Sequence, residues 1–264
     1  KLTIKYTPDE VWKTVQNFST INADLARSSY NLGKDARDWK VVFAQKDLIN
    51  SGLDKRKILQ ILYRPFDVRY TYYTGNSRGF HCMPRSEVMT HMIQENLGFI
   101  TARSNKSPSP NHFFISDKIT EIKCGESTIC SYLFPLYLYP SPNNKNPFDP
   151  SREHCKKKSN LHPELLNKLR ETYGNEVTPE EIFYYIYGTV FSNIYRIKYS
   201  EFLKLDFPRI PFANDFTLFQ KISDLGKKLA NLHLLQTSVL DRPVSKCLGE
   251  GLYVIEKLKY NEKE

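Results

Sequence analysis

The chain lacks the patterns by which many enzymes are identified from sequence. It has no G-x-x-x-x-G-K-[ST] loop to cradle nucleotide phosphates, no G-x-G-x-x-G fingerprint, no G-x-S-x-G nucleophile elbow and no H-E-x-x-H zinc helix. Its six histidines are scattered, and no two of its five cysteines (Cys82, Cys124, Cys130, Cys155, Cys247) have C-x-x-C spacing. Neither a zinc site nor a disulfide framework is expected, and free thiols in a reducing cytoplasm are the reading. Asp67 and Glu87 have no E-x-K strand beside them to complete a metal-dependent nuclease set. Asn146-Pro147-Phe148-Asp149 lacks the second proline of the N-P-P-[YF] loop with which DNA amino-methyltransferases hold a flipped base. No glycine-rich loop for S-adenosylmethionine accompanies it. No catalytic or metal-ligating residue is therefore assigned. The longest apolar-looking run, Ile129–Tyr139, contains Ser131 and Pro135 and falls short of the roughly 18 apolar residues of a membrane helix, so no membrane partner is expected. The first residue is Lys1 rather than Met, and the expectation is a piece of a longer polypeptide.

What the chain does contain is enough apolar surface to fold and an excess of positive charge. Hydrophobic residues make up 40% and aromatics 13% of its 264 residues. It carries 38 basic and 29 acidic side chains, a formal charge of +9. From Lys55 to His112 nine Lys/Arg face only Asp67, Glu87 and Glu95, and no carboxylate occurs from Asn96 to Ser116. A polyanion is the natural partner of such a segment; a solvated basic face is the alternative.

Local signals divide the chain into four parts. In residues 1–57, Thr7-Pro8-Asp9-Glu10 has the form of a capping box and starts a helix to about Phe18; residues 19–58 read as a connector. In 58–140 a β-rich region begins with Ile61–Tyr73, two strands about a bend at Pro65. A helix follows over Pro84–Asn96, then strands over Leu97–Arg103, His112–Ser116 and within Thr128–Tyr139. Residues 141–177 read as a linker, with Lys156-Lys157-Lys158 a solvated run. In 178–264, Thr178-Pro179-Glu180-Glu181 repeats the capping box, a second helix spans Asn193–Leu203, and a third starts near Asp215. Its expected core stripe is Leu218, Phe219, Ile222, Leu225, Leu229, Leu232 and Leu235; a strand over Leu252–Ile255 closes the chain. The predicted class is α+β, a β-rich mixed-sheet region followed by a helical one.

The segment Tyr63-Arg64-Pro65-Phe66-Asp67-Val68-Arg69-Tyr70-Thr71-Tyr72-Tyr73 resembles a motif of adenine-specific DNA methyltransferases that carry their own specificity region. Arg85–Met92, Asn96–Ile100, Phe134–Tyr139, Ile182–Gly188, Tyr195-Arg196, Tyr199–Pro211, Leu225-Gly226 and Leu232–Leu235 follow in the order of one family. That family is the C-terminal specificity domain of Type ISP restriction–modification enzymes, and the resemblance covers roughly residues 22 to 260. Its members usually continue with a further strand and a Trp-containing helix beyond the position of Glu264. The resemblance implies a target-recognition domain whose partners are double-stranded DNA and an upstream methyltransferase domain. S-adenosylmethionine, ATP and Mg belong to the upstream parts and no cofactor to this one, in a cytoplasmic, monomeric protein.

Readout of base edges needs bidentate side chains, and phosphates need cations. The DNA-binding candidates are Asn76, Ser77, Arg78, His81 and Arg85, then Arg103, Ser104, Asn105, Lys106 and His112. Arg78 and Arg103 suit guanine, Asn76 and Asn105 adenine, and Lys106 a phosphate. Arg64, Asp67 and Arg69 are expected to pair with one another or to anchor the neighbouring domain, and Tyr72 and Tyr73 to be core. Alternatives are a scaffold module that binds DNA only within the intact polypeptide, and a nuclease.

Overall fold

The structure is a computed structural model that describes residues 1–105, 111–126, 128–140, 148, 156–174, 176–242 and 245, and the statements below concern these. Strand β1 (Ile4–Lys5) leads into helix α1 (Pro8–Thr20). Thr7 Oγ1 accepts from the Glu10 amide at 3.2 Å, and Glu10 Oε2 accepts from the Thr7 amide at 3.1 Å, so the predicted capping box forms. The stretch read as a connector is instead helical: α2 (Ala23–Ser29), capped by Asn22, and α3 (Val41–Ser51). Val41, Ala44 and Leu48 recur at i, i+3 and i+7 and pack, fully buried, on Val15 and Phe18 of α1 and on Tyr72 and Phe80. Each large side chain so buried contributes about 1.5–3 kcal/mol. Polar Gln45 and Asp47, both buried within α3, dilute the pattern in the sequence. Gln45 Nε2 donates to the carbonyls of Phe18 (2.9 Å) and Ile21 (2.7 Å), satisfying the exposed end of α1.

Strands β2 (Ile58–Arg64) and β3 (Asp67–Tyr72) form the predicted antiparallel hairpin about Pro65-Phe66, with Phe66 at φ 63°. β1 extends it on the β3 side, and β6 (Ile119–Thr120) joins β2 in parallel, giving the order β1-β3-β2-β6. A second sheet places β4 (Gly98–Ala102) between β5 (Phe113–Ser116) and β7 (Ser131–Pro135), all antiparallel. Two-residue strands β8 (Tyr137–Leu138) and β9 (Lys158–Ser159) pair at its margin. The helix expected over Pro84–Asn96 is short: α4 (Ser86–Met89) and one 3-10 turn (Thr90–Met92). Asn96 explains the early stop. Its amide donates to the His91 and Tyr137 carbonyls (2.9 and 2.7 Å) and accepts from the Leu97 and Tyr137 amides, diverting the backbone from helix to sheet.

In the second half, part of the expected linker is helix α5 (Pro163–Tyr173), whose Leu169 and Tyr173 are buried. The capping box at Thr178/Glu181 opens α6 (Pro179–Phe191). The helix expected over Asn193–Leu203 is two helices, α7 (Asn193–Lys198) and α8 (Ser200–Leu205), broken at Tyr199. Asp215 caps α9 (Phe216–His233). Of the expected α9 stripe Phe219 is fully buried and Ile222 and Leu229 pack partly buried on the core, but Leu218, Leu225 and Leu235 are exposed and Ser223, Gly226 and Ala230 are inside instead. The cause is the crossing with α6. A Cβ on Gly226 would lie 1.9 Å from the Tyr184 carbonyl oxygen, and one on Gly188 2.9 Å from that of Ile222. Backbones this close admit only small residues at the crossing, so Leu218 and Leu225 lie outside it. The predicted α+β architecture is otherwise present, a mixed-sheet region preceding a helical one. The strand expected over Leu252–Ile255 lies outside the described residues.

Candidate nucleic-acid interface

The chain leaving β3 forms a loop, Thr74–Cys82, laid over the buried carboxylate of Asp47 on α3. Thr74 Oγ1 and the Phe80 amide donate to Asp47 Oδ2 at 2.7 and 2.8 Å, and Asn76 Nδ2 donates to Oδ1 at 2.8 Å. Gly79 lies against the same carboxylate, where a Cβ would come within 2.2 Å of Oδ2. At the tip, Asn76, Ser77 and Arg78 are exposed. Arg78 adopts φ 59°, its amide donates to the Cys82 carbonyl at 2.7 Å, and its guanidinium stands 3.6 Å from Asp38 with 69% of the side chain exposed. Arg85 is exposed beyond the loop and 3.8 Å from Glu87. His81 is different. Thr71 Oγ1 donates to the Thr3 carbonyl at 2.6 Å and shares a 2.8 Å hydrogen bond with His81 Nε2. Burial pushes the His81 pKa down to about 4, and the ring is a neutral strut rather than a cation for phosphate.

The second group of candidates follows β4. Arg103 reaches across to Asp206 at 3.4 Å, and Ser104 borders a cavity of about 980 Å³ with Asn111, His112, Phe114 and Glu126. Asn105 and His112 turn inward, 3% and 8% exposed. The Asn105 amide donates to the Leu203 carbonyl at 3.0 Å, and His112 Nε2 lies 2.9 Å from Glu126 Oε2, whose other oxygen accepts from Thr128. Neither side chain has an outward face: the Asn105 backbone is drawn onto α8, and His112 packs against Glu126. Lys106 lies outside the described residues.

The acid-poor stretch of sequence is acid-paired in space. Arg56 meets Asp54, Arg64 meets Glu121, Arg69 meets Asp67, Arg78 meets Asp38, Arg85 meets Glu87 and Arg103 meets Asp206. Lys57 is buried and donates to the Ser51 and Gly52 carbonyls at the end of α3; burial lowers its pKa. Of the three residues expected to pair or to anchor, Asp67 and Arg69 bond to each other (2.7–3.0 Å), while Arg64 goes to Glu121 at 2.8 Å. Arg64, Arg69 and Lys1 all lie over the Tyr63 ring, 4.1–4.6 Å from its centre. Tyr72 and Tyr73 are core, as expected. Among the described residues no cluster of His, Cys, Asp or Glu is arranged to hold a metal, and no helix is long and apolar enough to cross a membrane.

The sequence profile of the Type ISP C-terminal specificity domain matches residues 1–264. The chain belongs to this family. Similar folds occur in the DrdV–DNA complex solved by cryo-electron microscopy (TM-score 0.60, 22% identity over 88% of this chain and 22% of that one). They occur also in the ATP-dependent Type ISP restriction–modification enzyme LlaBIII bound to DNA (0.60, 21%, 90% and 14%). A nuclease-deletion mutant of the Type ISP enzyme LlaGI with a DNA substrate mimic is a further match (0.54, 18%, 88% and 20%). At such identities the likeness is one of fold, and the specificity domain spans about 14–22% of the length of those chains. No curated protein matches.

In this specificity domain the residues that organise the loop are ones the sequence did not point to. Asp47 is the chief of them, with Asp38 and Thr71. The available signal was a carboxylate three residues after Ala44, on the inner face of α3, visible only once that segment is read as a helix.

Proposed function

We propose that this specificity domain reads the base sequence of duplex DNA for a larger restriction–modification polypeptide. The observation that carries the reading is the Thr74–Cys82 loop, fixed from beneath by Asp47 with Asn76, Ser77 and Arg78 at its exposed tip. A loop ordered before binding loses little entropy on docking, which favours affinity and a single register. Arg78 forks onto guanine O6 and N7 when it leaves Asp38, a loose and mostly exposed pair worth about 0–1 kcal/mol. Arg103, mostly exposed beside Asp206, offers guanine a second fork next to Ser104 in the chain, and Arg85 and Lys106 serve phosphates. His81, Asn105 and His112 hold the fold. The fold shared with proteins solved as DNA complexes supports the assignment. The companion activity is adenine N6 methylation by a domain preceding this one, and S-adenosylmethionine, ATP and Mg act there. The cluster of Arg64, Asp67 and Arg69 faces that neighbour, and the assembly works as a cytoplasmic monomer.

Titration of a labelled duplex at several salt concentrations tests the proposal. With about five phosphates neutralised, log K falls with log salt at a slope of about −5. Arg78→Ala changes site preference, whereas Lys106→Ala weakens all sequences alike. Absence of binding at low salt sinks the reading. It would favour instead a scaffold role, to which one observation belongs: Ile194, Ile197, Phe202 and Leu205 on α7 and α8 are 66–79% exposed, an apolar surface suited to protein.

A further inference from the structure

Asp47 does more than hold the loop in place. A carboxylate has only acceptors to offer, so of the two ends of the Asn76 amide only the Nδ2 end can face it, and at 2.8 Å it does. The reverse orientation would set Oδ1 against Oδ1, oxygen on oxygen. Asp47 is itself fixed. Its Oδ2 takes the Thr74 hydroxyl and the Phe80 amide, Gly79 closes the space above it, and the residue is 8% exposed. The Asn76 backbone amide adds a bond to Thr74 Oγ1 at 3.4 Å, so side chain and main chain are anchored to the same pair of residues. An exposed asparagine ordinarily turns its amide over freely and offers a donor or an acceptor with equal ease. Here one face of the choice has been removed.

We infer that Asp47 is a specificity-positioning residue: by fixing the Asn76 amide it presents Oδ1 outward as an acceptor, with the second Nδ2 hydrogen beside it. The partner such an edge selects is a base with an exocyclic amino group in the major groove. Adenine fits it best, because N6 donates to Oδ1 while N7 accepts from the remaining N–H. Thymine and guanine present oxygens where Oδ1 needs a donor; they can meet only the remaining N–H and are disfavoured. This rests on the reading of the Thr74–Cys82 loop as a DNA contact.

The experiment is selection from a duplex library randomised over its centre, with the unaltered chain, Asp47→Asn and Asn76→Ala. Asp47→Asn keeps the size of the residue, but its one oxygen must still meet the Phe80 amide, so its Nδ2 faces Asn76 and the Asn76 amide turns over to present Nδ2 outward. The unaltered chain is expected to enrich adenine at one position by about tenfold or more. Asp47→Asn is expected to abolish the adenine preference at that position alone and to favour a base with an acceptor there, leaving the rest of the motif and the salt slope unchanged, whereas Asn76→Ala flattens the same position. A merely structural role would lower affinity at every position together, and that result overturns the inference, as does an unchanged motif. Failure of the unaltered chain to enrich any sequence removes the functional reading and this one with it, which is a different outcome. Should Asp47→Asn not fold, the amide is read in the unaltered chain by NMR. A scalar coupling across the hydrogen bond from Asn76 Nδ2 to the Asp47 carboxyl carbon supports the assignment, and an amide in free rotation overturns it.

Discussion

The loop after β3 and the segment after β4 look alike in sequence, each polar, basic and poor in acid, and the fold treats them in opposite ways. The first is bound at its base and open at its tip: Asp47 takes the inward donors, and Asn76 and Arg78 are left outside. The second gives its asparagine and histidine to the interior, where Asn105 is tied through its backbone to Leu203 and His112 stands against Glu126. Polarity in a loop therefore does not by itself mark a contact surface. What separates the described residues of the two is whether the polar side chains are drawn inward, as Asn105 and His112 are, or a buried acceptor takes the inward donors and leaves the others outside, as Asp47 does.

The sharpest way to break this comparison is to remove the group that creates it. Asp47→Ala strands the Thr74 hydroxyl and the Phe80 amide in a buried site, and a loss of about 4 kcal/mol is expected in urea unfolding, with base preference lost as well. Next is the pH dependence of the strut beneath the loop. His81 has its pKa depressed to about 4 against about 6.5 unfolded, so the unfolded chain binds more protons between those values. Stability is full above pH 6.5 and declines by about 3 kcal/mol as pH falls towards 4; unfolding at pH 7 and pH 4.5, repeated with His81→Gln, isolates the contribution. Gly79→Ala drives a methyl into the Asp47 carboxylate and is expected to cost about 2 kcal/mol by overpacking, measured as a lower midpoint. His112→Ala, in the other region, should cost about 1–2 kcal/mol of stability and leave base preference as it was. Smallest in stability is Arg78→Ala, within about 0.5 kcal/mol by the same unfolding assay, since its ion pair is exposed. If His112→Ala shifts base preference or Arg78→Ala unfolds the chain, the contrast between the two regions is wrong.

Charge counted along the chain does not show how it is partnered in space. Lys55–His112 holds few acids, yet Arg64 finds Glu121 57 residues on and Arg103 finds Asp206 103 residues on. Partners so distant leave no trace in a local count. The α9 stripe was legible only in part: Phe219, Ile222 and Leu229 do pack inward, but the close crossing with α6 at Gly188 also buries Ser223, Gly226 and Ala230 and leaves Leu218 and Leu225 outside. Asp47 escaped notice because α3 itself did, its apolar positions being interleaved with buried polar ones.

What the sequence settled alone is local. Both capping boxes, with the prolines that follow them, and the β2–β3 hairpin follow from bonds and dihedral limits within a few residues, so short-range rules reach them. The tertiary structure alone decided which polar residues face out, which arginines are paired and which face of α9 is inside. Each depends on groups brought together from tens of residues apart, where burial sets the cost of an unmet hydrogen bond and backbone distance sets the room for a side chain.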